Sequence, residues 1–215
     1  MASSEGLDQV DAVTRRDTAH VLVTVGGGED GGALLEAYRS MIYDCSEDIS
    51  FFSTIVLGPE LPSARRREYL RSIANSPAVR AIEYTDQLVT HMQAADVVVS
   101  MGGYNTVCEI LSLRKRAVIV PRIQPVQEQF IRAQRLAALG YVSTIHPNEL
   151  SPTTLLRAIT TELRSDRDKQ AIPVDLLFDG LANINAHLRA LLEFTRNTHE
   201  MESDDEFGDG YADRV

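Results

Sequence analysis

Tryptophan is absent from this 215-residue chain, aromatic residues make up only 6% of it, and it has two cysteines. Cys45 and Cys108 match neither metal-ligand nor redox spacing, which predicts two reduced thiols in a cytoplasmic protein rather than a disulfide framework. No apolar run approaches the roughly 18 residues of a membrane-spanning helix, and the polar start Met1 to Asp11 is not a signal peptide. A basic surplus is also missing. Lys plus Arg number 21 against 31 Asp plus Glu, for a net charge of −10. Seven acids between Glu200 and Val215 against Arg214 place −6 of that charge in the tail, so neither part resembles a nucleic-acid binder. The histidines His20, His91, His146, His187 and His199 are scattered. No metal centre is therefore expected, and none of them has the companion that would mark a general base.

What is present is one domain's worth of alternating β and α signals. A polar leader (1–18) precedes the apolar run His20–Val25. A glycine cluster follows, then a helix from Ala33 to Asp44. Strands are expected at Ser50–Leu57, Ala78–Tyr84, Asp96–Ser100, Ala117–Val120 and Tyr141–Ile145. Helices are expected at Leu61–Asn75, Gln87–Ala95 (capped by Thr85-Asp86), Tyr104–Leu113, from Gln127 to Leu139, and from Pro152 to about Leu163. Gly140 reads as a C′ residue, and Ser151 as an N-cap with Pro152 in the first turn. Arg65, Arg66, Arg67 and Arg71 read as a solvated helix face, with a docking patch as the alternative. A last amphipathic helix is expected over Val174–Phe194, and an acidic tail (196–215) lacks the apolar mass to repay ordering. The pattern predicts an α/β fold: a single Rossmann-like doubly wound parallel sheet over residues 19–195.

Two glycine turns carry the chemistry. The apolar β-branched run Asp96–Ser100 has the composition of a strand buried on both faces. Met101-Gly102-Gly103 turns the chain into a helix whose apolar face is Val107, Ile110 and Leu111. Thr106 and Glu109 are three apart on another side of that helix, near its N-terminus. Unpaired N–H groups and the positive dipole end there suit a phosphate, and a carboxylate one turn on suits a ribose diol. In the first turn, Gly26, Gly28 and Gly31 satisfy G-x-G-x-x-G, the dinucleotide fingerprint. The fingerprint's acid is missing at the end of the second strand, where Glu60 stands beyond Pro59, so an NAD site is the weaker alternative.

The run Asp96-Val97-Val98-Val99-Ser100-Met101-Gly102-Gly103-Tyr104-Asn105-Thr106-Val107-Cys108-Glu109, followed by Val118-Ile119-Val120-Pro121 and Gln127-Glu128-Gln129, resembles the C-terminal, donor-binding half of GT-B glycosyltransferases of family 28, the MurG-like enzymes. The resemblance covers roughly His20 to Leu163. It implies a UDP-sugar donor and no cofactor or metal. It also implies an inverting transfer that needs an acceptor-binding domain or partner chain, which would hold the general base. By the same resemblance Gly102, Gly103 and Thr106 hold the diphosphate and Glu109 the ribose. Tyr84 and Thr85 close over the base, Glu128 and Gln129 reach the sugar, and Gly27 and Gly28 lie against sugar and diphosphate. A nucleotide-sugar-binding subunit without turnover and a UDP-sugar epimerase fragment remain as alternatives.

Overall fold

The computed structural model describes residues 18–165 and 184–192. Six strands, β1 (Ala19–Thr24), β2 (Phe51–Val56), β3 (Val79–Ile82), β4 (Val97–Ser100), β5 (Arg116–Ile119) and β6 (Ser143–Thr144), form one sheet in the order β3-β2-β1-β4-β5-β6. Every pairing is parallel. The helices are α1 (Gly32–Asp44), α2 (Ser63–Ile73), α3 (Leu88–Ala94), α4 (Tyr104–Ser112), α5 (Glu128–Ala138) and α6 (Pro152–Arg164). This is the doubly wound α/β fold expected of the C-terminal half of a GT-B protein. These strands and helices fall within two residues of their predicted ends.

Parallel strands joined by helical crossovers are covered on both faces, so their side chains are apolar in both directions. Val21, Val23, Val97, Val99 and Val118 pack in one cluster with Leu34, Leu35 and Tyr38 of α1, Tyr69 and Ile73 of α2 and Leu155 and Ile159 of α6. The alternate residues Leu22, Val98 and Ile119 are equally buried outside that cluster, as are Met92 of α3, Val107 and Ile110 of α4 and Leu136 of α5. Period two assigns them to the opposite face. Two buried polar groups beside the sheet are paired. Tyr38 Oη lies 2.7 Å from Ser53 Oγ, and burial pushes the phenol's pKa up. Ser143 Oγ donates to the buried Glu162 carboxylate.

Helix ends follow the sequence signals with two corrections. Ser151 and Thr154 form a capping box at the start of α6. Gly140, at φ +76°, closes α5 in a Schellman turn, with Gly140 N–H donating to Ala137 O and Tyr141 N–H to Leu136 O. The expected Thr85-Asp86 cap of α3 is displaced: Gln87 is the N-cap and has no side-chain bond to the helix, while Thr85 Oγ1 accepts the Gln87 N–H. Arg66 leaves the expected solvated face. It is half-buried, and its guanidinium donates to the carbonyls of Pro59 (2.9 Å) and Leu61 (3.0 Å), whereas Arg65 and Arg67 are exposed. Residues 184–192 are helical, with Ile184, Leu188, Leu191 and Leu192 exposed. The rest of the expected last helix, the leader through residue 17 and the acidic tail lie outside the described residues.

Two expectations for stability follow from this framework. Helix α4 ends in the same Schellman bonds, Arg114 N–H to Leu111 O and Lys115 N–H to Ile110 O, but Arg114 sits at φ +50° in the glycine position. Arg114→Gly is expected to raise the unfolding free energy by about 0.5–1 kcal/mol in urea melts, relief of left-handed strain outweighing glycine's entropy. His20, at the head of β1, bonds Thr54 Oγ1 through Nε2 at 2.9 Å. Burial pulls its pKa below the ordinary 6.5, against the opposing pull of the Ala94 carbonyl and Asp96. The unfolded chain therefore protonates first. The contribution is whole above about pH 6.5 and is lost as pH falls toward the folded pKa. His20→Gln should flatten the fall in urea-measured stability between about pH 7 and pH 5.

Candidate functional site: the switch-point crevice

Strand β1 pairs with β2 on one side and β4 on the other, so successive crossovers leave this pair in opposite directions and their carboxyl ends part. Thr24 of β1 and Ser100 of β4 are register partners, and both are 1% exposed. Thr24 Oγ1 accepts the Gly26 N–H and Ser100 Oγ the Gly102 N–H, each at 3.4 Å. Two matched hydroxyls thus start the two glycine turns from the floor of one crevice. Its volume is about 230 Å³, and Gly26–Asp30, Glu60, Gly103, Thr106, Arg122 and Gln129 contribute to its walls. A larger cavity of about 400 Å³ between α1 and α2 holds the Glu36–Arg39 ion pair and takes no residue from β4, β5 or the loops that follow them.

Helix α4 opens onto the crevice. Its N-cap is Gly103, which offers no side-chain bond to the first turn, and the first intrahelical bond is Val107 N–H to Gly103 O at 2.9 Å. The amides of Tyr104, Asn105 and Thr106 precede that bond and have no helical acceptor. A Cβ on Gly103 would meet nothing within 4 Å. Gly102 beside it is buried at φ +81°, under Ile119.

The turns are braced from outside by residues that sequence reasoning missed. Arg132 of α5 donates to Gly102 O at 3.1 Å, pairs with Glu128, and stacks 5.3 Å from the centre of the Tyr104 ring. Glu60 N–H donates to Gly27 O at 2.7 Å, and its carboxylate lies against the Gly27 Cα. Arg122, after β5, pairs with Asp30 of the first glycine loop. Its N–H donates to Gln129 Oε1 at 3.1 Å, which leaves the Gln129 amide NH₂ as a donor. The one available signal was Arg122 directly after a strand-ending proline. An arginine that binds carbonyls reads the same in sequence as one in water.

Of the predicted residues, the crevice gathers Gly27, Gly28, Gly103, Thr106 and Gln129. Glu109 is half-buried one turn beyond Thr106, and Glu128 is mostly exposed, tied to Arg132. Tyr84 and Thr85 follow β3, the edge strand, and lie outside the crevice lining, with Tyr84 62% exposed. Cys45 and Cys108 are free thiols. Among the described residues no group of three or more His, Cys, Asp or Glu is placed to hold a metal ion, and no helix is long and apolar enough to cross a membrane.

Residues 20–173 match the glycosyltransferase family 28 C-terminal domain. The chain belongs to this family. It is 26% identical over 174 residues to the Clostridium perfringens UDP-N-acetylglucosamine--N-acetylmuramyl-(pentapeptide) pyrophosphoryl-undecaprenol N-acetylglucosamine transferase, over 79% of this chain and 46% of that one. An uncharacterized glycosyltransferase of Methanopyrus kandleri is 27% identical over 154 residues, 69% of this chain and 41% of that one. The chain thus spans less than half the length of these relatives. The fold is shared with Acinetobacter baumannii MurG at TM-score 0.57 and 20% identity, over 70% of this chain and 44% of that one. The calicheamicin glycosyltransferase CalG4 shares it at 0.56 and 19%, over 73% of this chain and 36% of that one.

The two-turn crevice of this family member depends on backbone approach. A Cβ on Gly58, at φ +83°, would stand 2.3 Å from Gly26 O and 2.5 Å from Gly27 O. Gly58→Ala is expected to cost about 2 kcal/mol or more in urea melts, left-handed strain and a backbone clash acting together.

Proposed function

We propose that this chain is the donor-binding part of an inverting glycosyltransferase that moves a sugar, an N-acetylhexosamine, from a UDP-sugar to an acceptor. The observation that carries the reading is the open first turn of α4 facing the glycine loop of β1 across the switch point. Amides of α4, with Gly102, Gly103 and the Thr106 hydroxyl, meet the diphosphate and stabilise it as it leaves, so that fixed dipoles do the work of a divalent ion. Gly27 and Gly28 line the opposite wall. Glu109 accepts the ribose hydroxyls, Tyr84 and Thr85 cover the base, and Glu128 with the Gln129 amide addresses the sugar.

At about 230 Å³ the crevice is smaller than the ~300–1,000 Å³ of complete ligand sites. It accommodates a diphosphate and part of a sugar. A second wall, with the acceptor and its general base, belongs to another domain or partner chain, which agrees with the coverage of less than half of the relatives. That same coverage favours one second reading, a nucleotide-sugar-binding subunit without turnover. Release of UDP from UDP-N-acetylglucosamine on adding an acceptor-binding partner separates the two.

UDP should raise the melting temperature of the 215-residue chain in proportion to the logarithm of its concentration, with GDP, TDP, ADP and NAD weaker. Glu109→Ala should weaken UDP binding by about 1.5–3 kcal/mol in calorimetry, the scale of lost charge-assisted hydrogen bonds. Unchanged affinity in the folded variant refutes the ribose role.

A further inference from the structure

The crevice is poorly charged for an anion. Among the described residues that line it, Glu29, Asp30 and Glu60 are acidic and Arg122 is the one cation. Three carboxylates repel a diphosphate unless that cation is turned toward it. In the structure it is engaged elsewhere: Arg122 pairs with Asp30, which rises from the first glycine loop just before α1. The pairing leaves a defect. Arg122 Nε is buried and has no acceptor, and a buried N–H without a partner is costly. The backbone beneath is held firmly, since Pro121 is buried and the Arg122 N–H is bonded to Gln129 Oε1 at 3.1 Å. The side chain can therefore change partner while its root stays in place. A planar guanidinium presents Nε and Nη as a fork that fits two phosphate oxygens better than it fits one oxygen of Asp30.

We propose that Arg122 is the donor-binding residue that takes the negative charge of a nucleoside diphosphate, and that Asp30 is its counter-ion only while the crevice is empty. This rests on the donor-site reading above. On binding, the diphosphate replaces Asp30 on the guanidinium, Nε gains its acceptor, and the released carboxylate turns to solvent. Asp30 thereby sets the affinity from a loop that need not touch the nucleotide.

The test is titration of the full chain with UDP by calorimetry and with uridine by NMR, for the native protein and for Arg122→Gln, Arg122→Lys and Asp30→Asn. Arg122→Gln is expected to weaken UDP about ten- to a hundredfold and leave uridine within about twofold. Arg122→Lys restores part of the loss. Asp30→Asn tightens UDP severalfold without moving uridine, and added salt shrinks both effects on UDP. Equal loss of UDP and uridine in Arg122→Gln, or unchanged UDP, overturns the proposal. So does a weaker UDP complex in Asp30→Asn, which decides the matter alone if Arg122→Gln does not fold. A native chain that binds no UDP removes the donor-site reading itself, whereas UDP bound with indifference to Arg122 removes only this inference.

Discussion

The parallel pairing of β1 with β4, carried by Val21 to Thr24 against Val97 to Ser100, is the constraint on which the rest of the structure depends. From this seam β2 and β3 are laid to one side and β5 and β6 to the other. Right-handed crossovers then send α1 and α2 to one face of the sheet and α4 and α5 to the other. The loops leaving β1 and β4 diverge, and the gap between them cannot be filled by either crossover. Thr24 and Ser100 are opposite each other in register and hold equivalent hydroxyl bonds at the two bends. A slip of one residue in β4 against β1 would end this match and turn the Ser100 hydroxyl to the other face of the sheet.

The crevice is a backbone site steadied by long side chains. Arg66 gathers the carbonyls of the loop after β2, that loop bears on the Gly27 carbonyl through the Glu60 amide, and Arg132 holds Gly102 O. Arg66 reaches back to the loop before its own helix and Arg132 to a turn 30 residues away, and both bind oxygens that helices and strands leave open. The result is a set of glycine turns whose carbonyls are occupied from behind, while the α4 amides stay open at the front. Such a division suits an anionic ligand at the amides, and the proposed donor site takes its side-chain part from the wall after β5, with Arg122 and Gln129.

Elements were legible because their signals are local. β-Branched runs made the strands, 3.6-residue spacing made Val107, Ile110 and Leu111 one buried face, and Gly140 and Ser151 marked helix ends through their own backbone or hydroxyl chemistry. Arg114 in a glycine position carried no such mark, because its left-handed φ is imposed by the Schellman bonds rather than preferred by the residue. The glycine turns and Thr106 were legible as a candidate site because their composition has few other uses, and the fold brings Gly27, Gly28, Gly103 and Thr106 to one crevice. Arg122, Arg132 and Glu60 were not, since each acts on a partner brought near only by the folded sheet, and Arg66 was not, since its helix position reads like that of its exposed neighbours. The distance of Tyr84 from the crevice lining was hidden for a related reason: it depends on β3 being the edge strand.

By itself, the sequence determined the alternation of strands and helices, the two glycine turns, and membership of a family whose motif is written in contiguous residues. Those properties come from short-range sterics, hydrophobic period and capping, which each segment carries alone. Only the tertiary structure decided the strand order, the meeting of Thr24 with Ser100, and the contacts of Arg122 with Asp30 and of Arg132 with Gly102. These join residues far apart in the chain, and their geometry exists only once the core has set the strands side by side.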